Sequence, residues 1–207
     1  MTRPIGIYEK ATPKNFTWRE RLAFAKELGF DFVEMSVDES DSRLARLDWT
    51  KKERLDVVQA IYETGIRIPS ICFSGHRRYP LGSNDPKTEA TSLEMMKKCI
   101  ELAQDLGVRT IQLAGYDVYY EEKSPETRAR FIKNLRKACD WAEEAQVILA
   151  IEIMDDPFLN SIEKYLAVEK EIDSPYLFIQ ILAMYQLGIM TFGVNSTTVI
   201  SPLLPCI

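Results

Sequence analysis

Residues 88–114 read TEATSLEMMKKCIELAQDLGVRTIQLA, and this stretch decides the fold. Leu93, Met96, Ile100 and Ala103 recur at steps of three and four, which lays one apolar stripe along a helix. Gly107 stands where that helix must stop, because a left-handed closing residue costs least without a Cβ. A short apolar run, Thr110-Ile111-Gln112-Leu113-Ala114, follows as a strand. Helix, glycine, strand is one α/β repeat.

The same punctuation recurs on both sides. Strands are expected at 5–8, 32–37, 66–73, 110–114 and 147–153, and helices at 17–28, 51–64, 88–106, 125–145 and 160–172. Gly29 and Gly65 close helices as Gly107 does, and Ser124-Pro125-Glu126 opens one with proline at its first position. Strands alternating with helices form a parallel sheet, and right-handed crossovers leave a barrel or an open doubly wound sheet. No Gly-rich phosphate loop follows any strand, which counts against dinucleotide binding. Polar residues gather instead at the C-terminal strand ends: Tyr8-Glu9-Lys10, Glu34 with Ser36, Ser74 with His76, Gln112 with Tyr116, and Glu152 with Asp155. In a TIM (β/α)8-type barrel those ends form the active-site mouth, and the full barrel takes eight units in about 250 residues. The expected fold is therefore an α/β barrel of about five βα units and part of a sixth strand.

The 207 residues, 46% of them hydrophobic, suit a domain with a sizeable core. A net charge of −5 speaks against a nucleic-acid or anionic-membrane partner. Cys72, Cys99, Cys139 and Cys206 have no paired spacing, which fits reduced cytoplasmic thiols. Residues 1–4 show no export leader, in line with a cytoplasmic location. All 57 Asp, Glu, Lys and Arg residues precede position 174, leaving 34 uncharged residues where a sixth unit is due.

Glu152 sits in an otherwise apolar run, Leu149-Ala150-Ile151-Glu152-Ile153-Met154. A carboxylate there is costly unless it is paired or bound to a cation, so it reads as a ligand or base, or as a salt-bridged strand end. Glu34 in Phe32-Val33-Glu34-Met35 has the same character. His76 is the one histidine, beside Arg77 and Arg78, which are suited to holding a phosphate. Asp155 and Asp156 before Pro157 also suit a plain turn, and Tyr119-Tyr120 reads as loop packing. Together these residues suit a small phosphorylated polar substrate and a divalent cation.

Gly6-Ile7-Tyr8-Glu9-Lys10-Ala11, the run from Leu28 to Glu39, His76-Arg77-Arg78-Tyr79-Pro80-Leu81-Gly82-Ser83, the run from Ile111 to Tyr120, and Glu152-Ile153-Met154-Asp155 resemble the L-ribulose-5-phosphate 3-epimerases of bacterial L-ascorbate and pentose catabolism. The resemblance runs from about residue 4 to Phe178. It implies interconversion of L-ribulose 5-phosphate and L-xylulose 5-phosphate by removal and return of the C3 proton. The enediolate formed on the way is stabilised by a divalent cation. It implies Glu152 as catalytic carboxylate and metal ligand, with Tyr8, Glu34, His76, Arg77 and Gln112 around the phosphorylated ketose. In related barrels the other metal ligands are an Asp, a His and a Glu on strands six to eight, and this chain has no match for them.

Back-translation offers a reason. Read one base earlier, the codons from Phe178 to Gly188 permit Tyr-Pro-Asp-Thr-Gly-Asn-Val-Ser-Ala-Trp, similar to the family's sixth strand. Those from Ile200 to Ile207 permit Lys-Ser-Ile-Ala-Ala-Leu-His, similar to its seventh. The expected organisation is a partial barrel over residues 1–178 and an out-of-frame tail over 179–207. A membrane anchor in the tail is disfavoured, because Gln180, Gln186, Asn195 and two prolines interrupt it. Three readings follow. The first is a sugar-phosphate epimerase by descent with impaired turnover and an aggregation-prone open sheet edge. The second is a non-catalytic remnant that binds a sugar phosphate or a partner. The third, a metal-dependent nuclease, is disfavoured by the acidic balance and the single histidine.

Overall fold

The computed structural model describes residues 4–180. In chain order run β1 (Gly6–Tyr8), α1 (Trp18–Glu27), β2 (Phe32–Val37), the one-turn α2 (Asp41–Leu44), α3 (Lys51–Thr64), β3 (Ser70–Phe73), α4 (Pro86–Leu106), β4 (Thr110–Ala114), α5 (Pro125–Ala145), β5 (Ile148–Glu152), α6 (Ile162–Ile172) and β6 (Leu177–Gln180). The strands form one parallel sheet in the order β1-β2-β3-β4-β5-β6. A doubly wound sheet reverses at a switch point, whereas this order never turns back. It is the wall of a barrel, with β1 and β6 as its edges among the described residues.

Local chemistry sets the helix ends. Thr17 with Glu20 and Thr50 with Glu53 close capping boxes at α1 and α3. Asp85 accepts from the backbone N–H groups of Lys87 and Thr88, so α4 begins at Pro86, two residues before the expected start. Gly65 and Gly107 cap α3 and α4 at φ 73° and 70°, as their positions required. At α5 and α6 that left-handed place is taken by Gln146 and Asp173. β3 is shorter than expected: Pro69 has no N–H to give a ladder, and the preceding residues touch β2 through one bridge, Phe32 to Arg67. α2 was not expected, because four residues are too few to show a period.

The sheet has two unlike faces. Val33, Met35, Ile71, Ile111, Leu113, Leu149 and Ile151 point outward and are buried against Leu22, Val57, Met96, Leu102 and Leu135 of the helix layer. Register places Ser36, Cys72, Gln112, Ala150 and Phe178 in one inward row. Tyr8 lies opposite Glu34, and Ala114 opposite Glu152. The inner face thus mixes polar with small or aromatic side chains, some buried and some half-buried, and the main apolar core lies between sheet and helices. β6 continues to Gln180, with Ile151 facing Ile179, so this strand runs two residues past the boundary expected at 178. The rest of the expected tail, 181–207, lies outside the described residues.

Candidate active site

A cleft of about 190 Å³ opens at the C-terminal strand ends, lined by Tyr8, Lys10, Cys72, Phe73, Ser74, Arg77, Gln112, Ala114, Glu152 and Met154. A wider groove of about 250 Å³ lies outside the sheet, where Leu44, Leu47 and Met95 sit beneath Asp41, Asp48, Glu94 and Lys98. None of the expected site residues lines it. The chemistry gathers in the smaller cleft.

Glu152 ends β5, and Gln112 of β4 donates from Nε2 to its Oε2 at 2.6 Å. Burial pushes the Glu152 carboxyl above its ordinary range; the Gln112 hydrogen bond opposes this and the charge of Glu34 adds to it. No cation among the described residues pairs with Glu152, so its neighbour is a neutral amide and not a salt bridge. Gly115 lets the backbone just after β4 lie close against the end of β5. A Cβ there would lie 2.4 Å from the Glu152 carbonyl oxygen and 3.0 Å from Leu159 Cβ.

Tyr8 lines the cleft with its hydroxyl donating to Ser36 Oγ at 2.9 Å, and burial raises its phenol strongly. Cys72 stands beside it, its thiol pushed up to about 12 by burial. Glu34 lies one pleat deeper on the inner face and accepts from Ser70 Oγ at 2.8 Å; burial pushes its carboxyl up. Lys10 and Arg77 bring positive charge to the rim. Lys10 Nζ is 2.6 Å from Asp38, and the Arg77 guanidinium lies 4.7 Å from the Tyr119 ring. Arg77 Nε and the Tyr116 hydroxyl are both buried without completing a hydrogen bond.

Three expectations change. His76 does not join the substrate-facing set: it is buried against Phe73, with Nε2 3.4 Å from the Ser92 carbonyl of α4, and burial lowers its pKa to about 4. The turn after β3 carries its ring toward the helix layer, away from the cleft. Of the two arginines beside it, Arg78 pairs with exposed Asp41 at 2.6 Å, and Arg77 alone faces the cleft. Glu9, read with Tyr8 and Lys10 as a mouth residue, is wholly buried among Arg46, Arg43 and Arg21. Its arginine partners sit on α1, on α2 and in the turn after α2, where no sequence period announces them. Asp156 shapes its turn by accepting from the N–H of Phe158.

The implied divalent cation can be tested against the donors present. Among the described residues no group of three or more His, Cys, Asp or Glu side chains could hold a metal ion. Glu152 offers one carboxylate, already accepting from Gln112, and the described set does not fit a divalent cation. Cys72, Cys99 and Cys139 are free thiols, and no described helix is long and apolar enough to cross a membrane.

The profile of the xylose isomerase-like TIM barrel family matches residues 22–182. The chain belongs to that family. Within the xylose isomerase-like barrels it is 57% identical over 173 residues to L-ribulose-5-phosphate 3-epimerase UlaE of Salmonella paratyphi B, covering 84% of this chain and 61% of that protein. The chain therefore spans about 61% of the length of the curated relatives it matches. A D-psicose 3-epimerase from Clostridium cellulolyticum H10, solved with D-tagatose, superposes with a TM-score of 0.73 at 16% identity, over 86% of this chain and 63% of that one. A xylose isomerase-like barrel from Mycobacterium smegmatis, solved with magnesium, gives a TM-score of 0.60 at 19% identity, over 86% and 64%. At such identities these two structures speak for the fold alone.

Proposed function

We propose that the chain carries the first six staves of a sugar-phosphate 3-epimerase acting between L-ribulose 5-phosphate and L-xylulose 5-phosphate, in L-ascorbate or pentose breakdown. The observation that carries this reading is the cleft itself: one half-buried carboxylate, Glu152, oriented by Gln112, beneath a rim holding Lys10 and Arg77. The 57% identity to an L-ribulose-5-phosphate 3-epimerase supports the substrate class. In this reading the two cations take the phosphate and Tyr8 meets a hydroxyl of the ketose chain, while Glu34, expected at the substrate, lies outside the cleft lining and accepts from Ser70.

Glu152, with its raised carboxyl, is suited to accept a proton near neutral pH. It takes the proton from C3, and the C–H electron pair moves through C2 onto the ketone oxygen to give the enediolate. Return of the proton from the same carboxylate restores the starting sugar. Inversion needs a donor on the opposite face, and among the described residues Glu152 is the one carboxylate lining the cleft. The described donors do not fit the divalent cation that the resemblance implies, so Glu152 acts here as a proton acceptor alone. We therefore take turnover by this chain to be impaired. We also take residues 1–178 as the barrel portion and 179–207 as out of frame, which sequencing the DNA around codon 178 decides.

Incubating the 207-residue chain with L-ribulose 5-phosphate in heavy water tests the reaction. Deuterium is expected to enter C3 while L-xylulose 5-phosphate forms at least about a hundredfold more slowly. Glu152→Gln should stop the exchange. Epimer appearing as fast as deuterium would refute the one-carboxylate account. Calorimetric binding with no exchange at all would favour the second reading, a non-catalytic sugar-phosphate-binding remnant.

A further inference from the structure

Glu9 is a wholly buried carboxylate held by four residues, and the proposed reaction does not use it. Arg46 meets its carboxylate with two hydrogen bonds, each 2.7 Å, Arg43 Nη1 lies at 2.9 Å and Arg21 Nε at 3.8 Å. The N–H of Ser36 donates to its Oε2 at 2.8 Å. Arg46 lies between two indoles, 5.4 Å from the Trp18 ring and 5.5 Å from that of Trp49, and also donates to the Ser36 carbonyl at 2.8 Å. Ser36 is thus gripped at both its N–H and its C=O.

Both cleft-facing side chains at the end of β1 rest on this cluster. Tyr8 donates to the hydroxyl of the clamped Ser36, and Lys10 pairs with Asp38, which Arg43 Nε approaches at 3.5 Å. β1 itself is three residues long and has one ladder neighbour among the described residues, so that pairing alone fixes its end weakly. Buried ion clusters stabilise a fold poorly compared with apolar packing of equal volume, and their better-attested use is to specify one geometry.

We infer that Glu9 is a positioning residue, whose buried carboxylate fixes the turn after β1 so that Tyr8 and Lys10 face the cleft. It acts through Ser36, Arg43 and Arg46 and does not touch the substrate. This inference rests on the proposed function for what the cleft binds, but not for the clamp itself.

The test uses amide hydrogen exchange and calorimetry on the full chain. Glu9→Gln should speed exchange of residues 8–12 and of Ser36 by about tenfold or more, leaving α4 rates unchanged. Affinity for L-ribulose 5-phosphate should weaken at least about tenfold. Unchanged exchange over 8–12, or equal acceleration in α4, would overturn the inference, the latter because Glu9 would then merely hold the fold. Should Glu9→Gln fail to fold, Ser36→Ala removes the Tyr8 link with Glu9 and its arginines intact. That variant should weaken binding at an unchanged melting temperature, and unaltered affinity would overturn the inference. If the parent chain binds no L-ribulose 5-phosphate, the proposed function fails, and the exchange comparison judges Glu9 by itself.

Discussion

His76 shows how a residue can be legible in chemistry and illegible in direction. A loop histidine beside two arginines reads as a phosphate contact, yet the backbone turns it against Phe73 and the Ser92 carbonyl. Buried neutral with a pKa near 4 instead of 6.5, it favours folding above about pH 6.5. That contribution, up to about 3 kcal/mol, is lost as pH falls from 6.5 toward 4. Urea midpoints across that range should fall for the parent and fall less for His76→Gln. Gly115 makes a second residue-scale case. Alanine there must displace the Glu152 carbonyl or Leu159, so Gly115→Ala should cost roughly 1–3 kcal/mol by denaturant titration and slow C3 exchange as well.

Elements were read more securely than residues, because capping and periodicity are local. β2, β4, α3 and α5 occupy the residues expected of them, and the register of β4 with β5 brings Gln112 and Glu152 to one face. α6 ends on Asp173 at φ 55°, a left-handed place where a side chain is strained. Asp173→Gly should therefore raise stability by about 0.5–1 kcal/mol, read as a higher urea midpoint at constant slope. Asp85→Ala should do the reverse at α4, costing about 1 kcal/mol through two lost cap hydrogen bonds. Hydrophobicity extends β3 back through Ile66 and Ile68, both buried, but Pro69 interrupts the ladder and the strand starts at Ser70.

For the whole molecule, β1 and β6 are open edges among the described residues, and α6 exposes Ile162 and Leu166. Unpaired strand edges invite pairing between chains, so sedimentation should show association rising with protein concentration. A concentration-independent monomer with a single cooperative melt would contradict this. Millimolar Mg²⁺ or Mn²⁺ should leave the melting temperature unchanged, because the described donors do not complete a cation site.

By itself the sequence determined the α/β repeat, the parallel barrel wall and the strand ends that carry polar groups. Each of these follows from spacing within some twenty residues, the distance over which caps, glycines and apolar stripes act. Tertiary structure alone decided which polar residues meet. Gln112 reaches Glu152 across 40 positions, Arg46 reaches Glu9 across 37, and His76 turns away from both. Contacts of that span depend on how strands register and loops turn over the core, and no local pattern records the outcome.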